Sequence, residues 1–304
     1  MRRGTVNLTN SIINYRRYLK RRNLARYTIR NYLNNLELFL AWLKVPLEQV
    51  VHQDVSAYTE FLLERRKHPK TINCQLSTIR SFYDFLHHEE GVPVQNPVRK
   101  GCSLRLPKPL PRYLKDEEVG KLFAQIKNPR DRAMFMLMLR CGLRVAEVAA
   151  LTIDDIDQNR RKIFVQSGKG SKDRVVYLSS DALRALTDYL RVRPASSSKY
   201  VLLVGKGSYR GKPISVRGIQ KRIEYYRKKI GITASCHHLR HTMATQMLNA
   251  DADLATIQDL LGHSKITTTQ RYCKVSNIKV ERDYNKAMEV VMQKNRLASN
   301  VRGH

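Results

Sequence analysis

Six residues past position 140 have the types needed to break and remake a phosphodiester bond. They are Arg144 in GLRVAEV, Lys169 in SGKGSKDR, His237 and Arg240 in HHLRH, His263 in LLGH, and Tyr272 in TTTQRY. In-line attack on phosphorus needs a nucleophile, and it needs donors that steady the charge on the equatorial oxygens. Arginine suits the second task because its planar fork gives two hydrogen bonds to one phosphate and keeps its charge. Arg144 and Arg240 are the expected clamp. Lys169, on a glycine-rich hairpin tip, can pass a proton to the leaving oxygen. Lys172 is its rival on the same tip. His237 and His263 can carry protons near neutral pH. The Tyr272 phenol can attack and form a phosphotyrosyl link that stores the bond energy for reversal.

No group of Asp and Glu with metal-ligand spacing accompanies these residues. Asp154, Asp155 and Asp157 gather in one loop, where such acids serve as turn or cap residues. The expected chemistry therefore uses no metal and no other cofactor. Arg140 competes with Arg144 for the first cation position, but Arg144 is the one that follows the Gly-Leu turn. His238 and His241 flank the His-x-x-Arg pair and are read as structural.

The bulk composition points to a polyanionic partner. The chain has 304 residues and a formal net charge of +30, with a sequence pI near 10.2. Neutralising phosphates releases condensed counterions, so a charge spread along the whole chain favours nucleic acid over a membrane anchor. No acid precedes Glu37, whereas Arg16, Arg17, Arg26 and Arg30 all do; they are the expected phosphate-facing cations of the N-terminal part. Arg174 is read as a phosphate contact or a strand-end charge. The five cysteines, Cys74, Cys102, Cys141, Cys236 and Cys273, are scattered and form no Cys-x-x-Cys. That argues against a disulfide framework and against structural zinc. The chain shows no apolar signal core and no run of about 20 apolar residues. The expectation is a soluble cytoplasmic, nucleoid-associated protein without membrane contact.

The elements that must position these residues are mostly helical. Ile29, Leu33, Leu36, Leu40 and Leu43 recur at steps of three and four, as do Ile72, Leu76, Ile79, Tyr83 and Leu86; each set is the apolar stripe of a packed helix. Further helices are predicted over 7–21 and 55–67, with Asp54 as N-cap of the latter and Pro69 opening the next. Residues 91–111 hold five prolines and four basic residues and read as a linker. Helices are then predicted over 115–126, 129–140, 215–230, 237–249, 254–261 and about 280–293. Residues 163–166 and 174–178 are predicted strands of a hairpin around GKGSKD, with 200–204 a third strand. The fold class is mostly α with a small β-sheet in the second domain (α+β). The expected organisation is a helical DNA-binding domain over 1–92, a linker over 93–112, and a catalytic domain over 113–304.

The order and spacing of GLRVAEV, GKG, HxLRH, LGH and the tyrosine beyond LGH resemble the signature of the tyrosine recombinases, the phage-integrase family. The resemblance covers the whole second domain. One of these motifs would be weak, whereas five in the correct order are specific. Cys236 departs from the pattern where a proline often precedes the histidine. The resemblance places Arg144, Lys169, His237, Arg240, His263 and Tyr272 on the catalytic positions, and Glu147 on an acid that supports the first arginine. It implies a SAM-like core-binding bundle followed by a catalytic domain, together a C-shaped clamp on DNA. It further implies a specific site on double-stranded DNA and a homotetramer holding two sites. The resemblance also implies strand exchange through a Holliday junction without ATP. The last helix is expected to dock on a neighbouring protomer, and an accessory protein is a further candidate partner. The compact length is similar to that of Xer-type and simple transposon recombinases. Dimer resolution, integration and transposition all use this design. Two other readings share the features: a type IB topoisomerase-like relaxase, and a non-catalytic DNA-binding protein on the same fold.

Overall fold

A computed structural model describes residues 7–107, 111–166 and 173–262, together with 284, 288 and 289. Contacts group the chain into two units, Met1–Lys108 and Pro109–His304.

The first unit is a bundle of four helices: α1 (Leu8–Arg21), α2 (Arg26–Trp42), α3 (His52–Glu64) and α4 (Pro69–His88). Asn7 caps α1, its side chain accepting from the Asn10 N–H at 3.1 Å. Proline opens α4, where the missing N–H costs nothing. The predicted stripes turn inward: Ile29, Leu36, Ile72, Leu76, Ile79, Tyr83 and Leu86 are buried around Tyr15, Phe39, Tyr58 and Phe82. Asp54 does not cap α3 from outside. It lies in the first turn, and its carboxylate accepts from the Val51 N–H at 2.8 Å. Arg16, Arg17, Arg26 and Arg30 all project to the surface of α1 and α2, and Arg30 lies over the Tyr27 ring.

Most of the predicted linker belongs to this bundle. Val94 and Val98 are buried in its core. Asn96 donates to the Arg80 carbonyl, and Asn73 holds both the N–H and the carbonyl of Leu104. Prolines kept the segment out of helices, but its alternate valines are apolar enough to seat it against α4.

The second unit is built around α6 (Pro129–Arg140), whose residues Ala133–Leu139 are all buried. Around it stand α5 (Asp116–Gln125), α7 (Val145–Ala150), α8 (Ser180–Val192), α9 (Val216–Ile230), α10 (Cys236–Asn249) and α11 (Leu254–Leu261). Buried Asp131 joins α6 to α9. It accepts from Arg130 at 2.8 Å, from Arg222 at 2.6 Å and from the Tyr226 hydroxyl at 3.0 Å. The sheet has three antiparallel strands, β1 (Ile156–Asp157), β2 (Lys162–Val165) and β3 (Arg174–Tyr177), in sequential order. The predicted third strand over 200–204 is instead a stretch with two isolated bridges, Thr152–Tyr200 and Leu203–Pro213. Helix α8, absent from the sequence reading, packs on α6 through Ala182, Ala185, Leu186 and Tyr189. The predicted 280–293 helix lies outside the described residues, apart from helical 284, 288 and 289. No described helix is long and apolar enough to cross a membrane.

Candidate active site

Three elements of the second unit, β3, α10 and the head of α7, converge on the last turn of α11. Helix α11 starts under an Asp253 cap and stops at Gly262, whose φ of +59° is left-handed. That turn presents three consecutive carbonyls that lack a partner within the helix. Each receives a guanidinium. Arg174 Nε donates to the Leu260 carbonyl at 2.8 Å. Arg240 Nη2 donates to the Leu261 carbonyl, and its Nη1 to the Gly142 carbonyl. Arg144 Nη2 donates to the Gly262 carbonyl at 3.0 Å. Cations at a helix C-terminus also complement its partial negative charge.

Arg144 stands at the N-cap of α7, directly after the turn at Gly142. Gly142 has φ +65°, and a Cβ there would meet Leu261 Cδ2 at 3.1 Å and Met243 Sδ at 3.2 Å. A glycine is thus needed both for the backbone and for the close approach of α10 and α11. From the N-cap, the Arg144 N–H donates to Glu147 Oε2 at 2.7 Å and its Nη1 to Glu147 Oε1 at 2.7 Å. Two of its five N–H donors are engaged among the described residues. Its side chain is 39% exposed, so the rest of the fork reaches solvent.

Helix α10 supplies His237 and Arg240, three residues apart on one face. Ser235 caps the helix, its hydroxyl accepting from the His238 N–H at 3.2 Å. Arg240 is 2% exposed, whereas His237 is exposed. The His237 ring packs against His241 one turn on, with centroids 4.0 Å apart. His238 turns away and meets the Thr233 carbonyl at 3.2 Å. Cys236 is buried, and that burial pushes its thiol up to about 11, so the departure from the expected proline adds no nucleophile. Arg140 is held elsewhere, by Asp181 at 2.9 Å and Gln246 at 3.2 Å. Lys169, its rival Lys172, His263 and Tyr272 lie outside the described residues.

Arg174, expected as a phosphate contact or a strand-end charge, stands at the start of β3 and turns inward. Its side chain is 6% exposed. Besides Leu260, it donates from Nη1 to Glu147 Oε1 at 2.9 Å and from Nη2 to Glu147 Oε2 at 2.7 Å. The reason is register. Arg174 pairs with Val165 and Ile163 pairs with Val176. Alternation along a strand then puts Arg174 on the same inward face as buried Val176, while Val175 and Tyr177 face outward. Burial alone would raise the Glu147 carboxyl, but the hydrogen bonds from Arg174 and the Arg144 N–H outweigh it and hold the pKa at about 2.

Beside His237, a hollow of about 560 Å³ is lined by Arg217, Gln220, Glu224 and Arg227 of α9. These α9 arginines were not singled out in the sequence. Their signal is the buried stripe Ile219, Ile223 and Tyr226, which leaves Arg217, Gln220 and Glu224 on other faces of the helix.

The class that this arrangement defines is met among known proteins. The phage integrase family matches residues 112–278, and the phage integrase N-terminal SAM-like domain matches residues 12–90. The chain belongs to the phage integrase family. It is similar to the tyrosine recombinase XerC of Bacillus subtilis, 32% identical over 297 residues that cover 91% of this chain and 96% of that one. Among solved structures it is similar to the XerA recombinase crystal structure, with 26% identity, a TM-score of 0.54 and coverage of 91% and 98%. A lambda integrase tetramer bound to a Holliday junction shares the fold, with TM-score 0.70, 20% identity and coverage of 86% and 78%.

Proposed function

We propose that this chain is a site-specific DNA recombinase that cuts, exchanges and rejoins strands through a tyrosine-linked intermediate. The observation that carries the reading is the match of both units, in order, to the two domains of one recombinase family. The arginine centre at the α11 terminus fits it. Arg144 and Arg240 hold the scissile phosphate, with Arg144 turning the exposed side of its fork towards the two non-bridging oxygens. Glu147 keeps Arg144 in place. Tyr272 attacks phosphorus and its oxygen becomes bonded to the 3′ end, while the bond to the 5′ oxygen breaks and Lys169 gives that oxygen its proton. His237 and His263 donate to the phosphate and carry the phenol proton. The freed 5′ hydroxyl of a partner strand then attacks the same phosphorus and releases the tyrosine. One phosphoester bond is made for each one broken, so no nucleotide hydrolysis is needed.

Double-stranded DNA carrying a specific site is the substrate. Arg16, Arg17, Arg26 and Arg30 contact its phosphates from the first unit. The working assembly is a homotetramer on two sites, a reading supported by the lambda integrase tetramer of the same fold. The place of action is the cytoplasm, at the nucleoid. The test is a nicked suicide duplex carrying the cognate site. Wild type is expected to accumulate a protein–DNA adduct, and Tyr272→Phe to bind without one. An adduct that persists in Tyr272→Phe overturns the assignment of the nucleophile. Supercoil relaxation on random DNA without recombinants would replace recombination by the relaxase reading.

A further inference from the structure

Arg174 touches three parts of the centre at once. It stands at the start of β3, two residues after the 167–172 segment that contains Lys169. Its guanidinium meets Glu147 side-on through two hydrogen bonds and α11 through a third. Its aliphatic stem lies against Gly262. A Cβ at that glycine would meet Arg174 Cδ at 3.1 Å and Nη1 at 3.3 Å. The close fit and the three hydrogen bonds are separate observations, and both tie β3 to the point where the chain leaves α11.

The Glu147 carboxylate shows what this fastening does. Its Oε1 accepts from Arg144 and Arg174, and its Oε2 accepts from the Arg144 N–H and Arg174. Two cations therefore share one anion. With Arg174 in place, half of the carboxylate's hydrogen bonds and much of its charge are spent on a buried partner. The exposed Arg144 then keeps more of its charge for an incoming anion. Without Arg174, Glu147 would face Arg144 alone and could draw that fork inward.

We propose that Arg174 is a positioning residue, which aims Arg144 at the scissile phosphate by holding Glu147 and the α11 terminus in one geometry. The proposal rests on the recombinase reading above. All three guanidinium nitrogens of Arg174 already donate to Glu147 and the Leu260 carbonyl, so its part in the proposal is to hold these groups. The other charged groups near Glu147 are Asp154, Asp155, Asp173 and Lys199, which line a second hollow together with Glu147 and Arg174; among the described residues the carboxylate's hydrogen bonds come from Arg144 and Arg174.

The experiment compares wild type, Arg174→Lys, Arg174→Ala and the double variant Arg174→Ala/Glu147→Gln on the nicked suicide duplex. Single-turnover adduct formation is measured at saturating DNA from pH 5 to 8, beside cognate-site affinity and the thermal midpoint. Arg174→Lys keeps the charge but cannot reach Leu260 and both Glu147 oxygens together. It is expected to bind normally and to react roughly tenfold more slowly, and Arg174→Ala roughly a hundredfold more slowly. Arg174→Ala should also gain an acid limb absent from wild type, because Glu147 loses the partner that keeps it ionised. The double variant should lose that limb. A purely structural role would lower the midpoint without adding a pH dependence. Wild-type rates at saturating DNA in Arg174→Lys, or an unchanged pH profile in Arg174→Ala, would overturn the proposal. Should Arg174→Ala not fold, the rate of Arg174→Lys decides. If wild type forms no adduct, the recombinase reading fails instead, so the two failures are distinguishable.

Discussion

The Arg144 guanidinium donates to the Gly262 carbonyl at 3.0 Å across a separation of 118 residues. One side chain therefore joins the head of α7 to the tail of α11, and the residue after that tail is His263. Replacing Arg144 by lysine keeps a charge but loses the fork that serves Glu147, Gly262 and a phosphate together. Arg144→Lys is expected to slow adduct formation by roughly 10²–10³-fold. Affinity for the cognate duplex should change little. Single-turnover cleavage beside a gel-shift titration checks both.

Gly262 and Gly231 allow a controlled comparison. Both end a helix in the left-handed region, with φ of +59° and +70°. An added Cβ meets Arg174 at Gly262 but nothing within 4 Å at Gly231. Each alanine variant should lose about 1–2 kcal/mol of stability from backbone strain. Gly262→Ala alone should also lose cleavage. Urea denaturation and the adduct assay separate the two effects, and equal activity in both variants would contradict the packing argument.

The Glu147 carboxyl is lowered from 4.5 to about 2 in the folded chain. A lowered carboxyl favours the folded state wherever it is ionised there and would be ionised unfolded. Its contribution is complete above pH 4.5 and fades as the pH falls towards 2. Wild type should thus be more stable than Glu147→Gln near neutral pH, and the difference should shrink as the solution is acidified below pH 4.5. Urea midpoints of both proteins across that range test the sign.

Arg217 and Arg227 line the hollow beside His237. If they meet phosphates, each alanine variant should weaken binding evenly across sequences and reduce the salt slope of log affinity by about 1. A slope unchanged from wild type would place them outside the interface.

Much of this architecture could be read in advance, for identifiable reasons. Helices α2, α4 and α6 follow from apolar spacing, from Pro69 and Pro129 at the first helical position, and from the buried run AMFMLML. Helix α8 was missed although it is amphipathic. Its buried face uses Ala182 and Ala185, which carry little weight in an apolar count. The prolines at 93, 97 and 107 hid a packed segment, because proline excludes helix but not burial. At the site, residue type and spacing singled out Arg144, His237 and Arg240, and the family resemblance added Glu147; Arg144 and Arg240 meet at the α11 terminus, with Glu147 bonded to Arg144. Arg174 was read as a phosphate contact or a strand-end charge, and it does stand at the start of β3, but its inward side was not foreseen. Its partner Val165 and its neighbour Val176 fix its side of the strand, and that pairing is not visible from charge.

Helix α11 rests on a small apolar cluster of its own. Met243, Ala244, Leu248, Ile257 and Leu261 form it, apart from the large core around α6. Beyond that cluster, Leu260 packs on the edge of the large core and guanidinium bonds hold the last turn. A satellite of this kind opens at a lower free energy than the mass it leans on. Its amides should exchange with deuterium well before those of α6. The short rod of α11 is therefore the part of this unit expected to loosen first, while the scaffold around α6 stays folded.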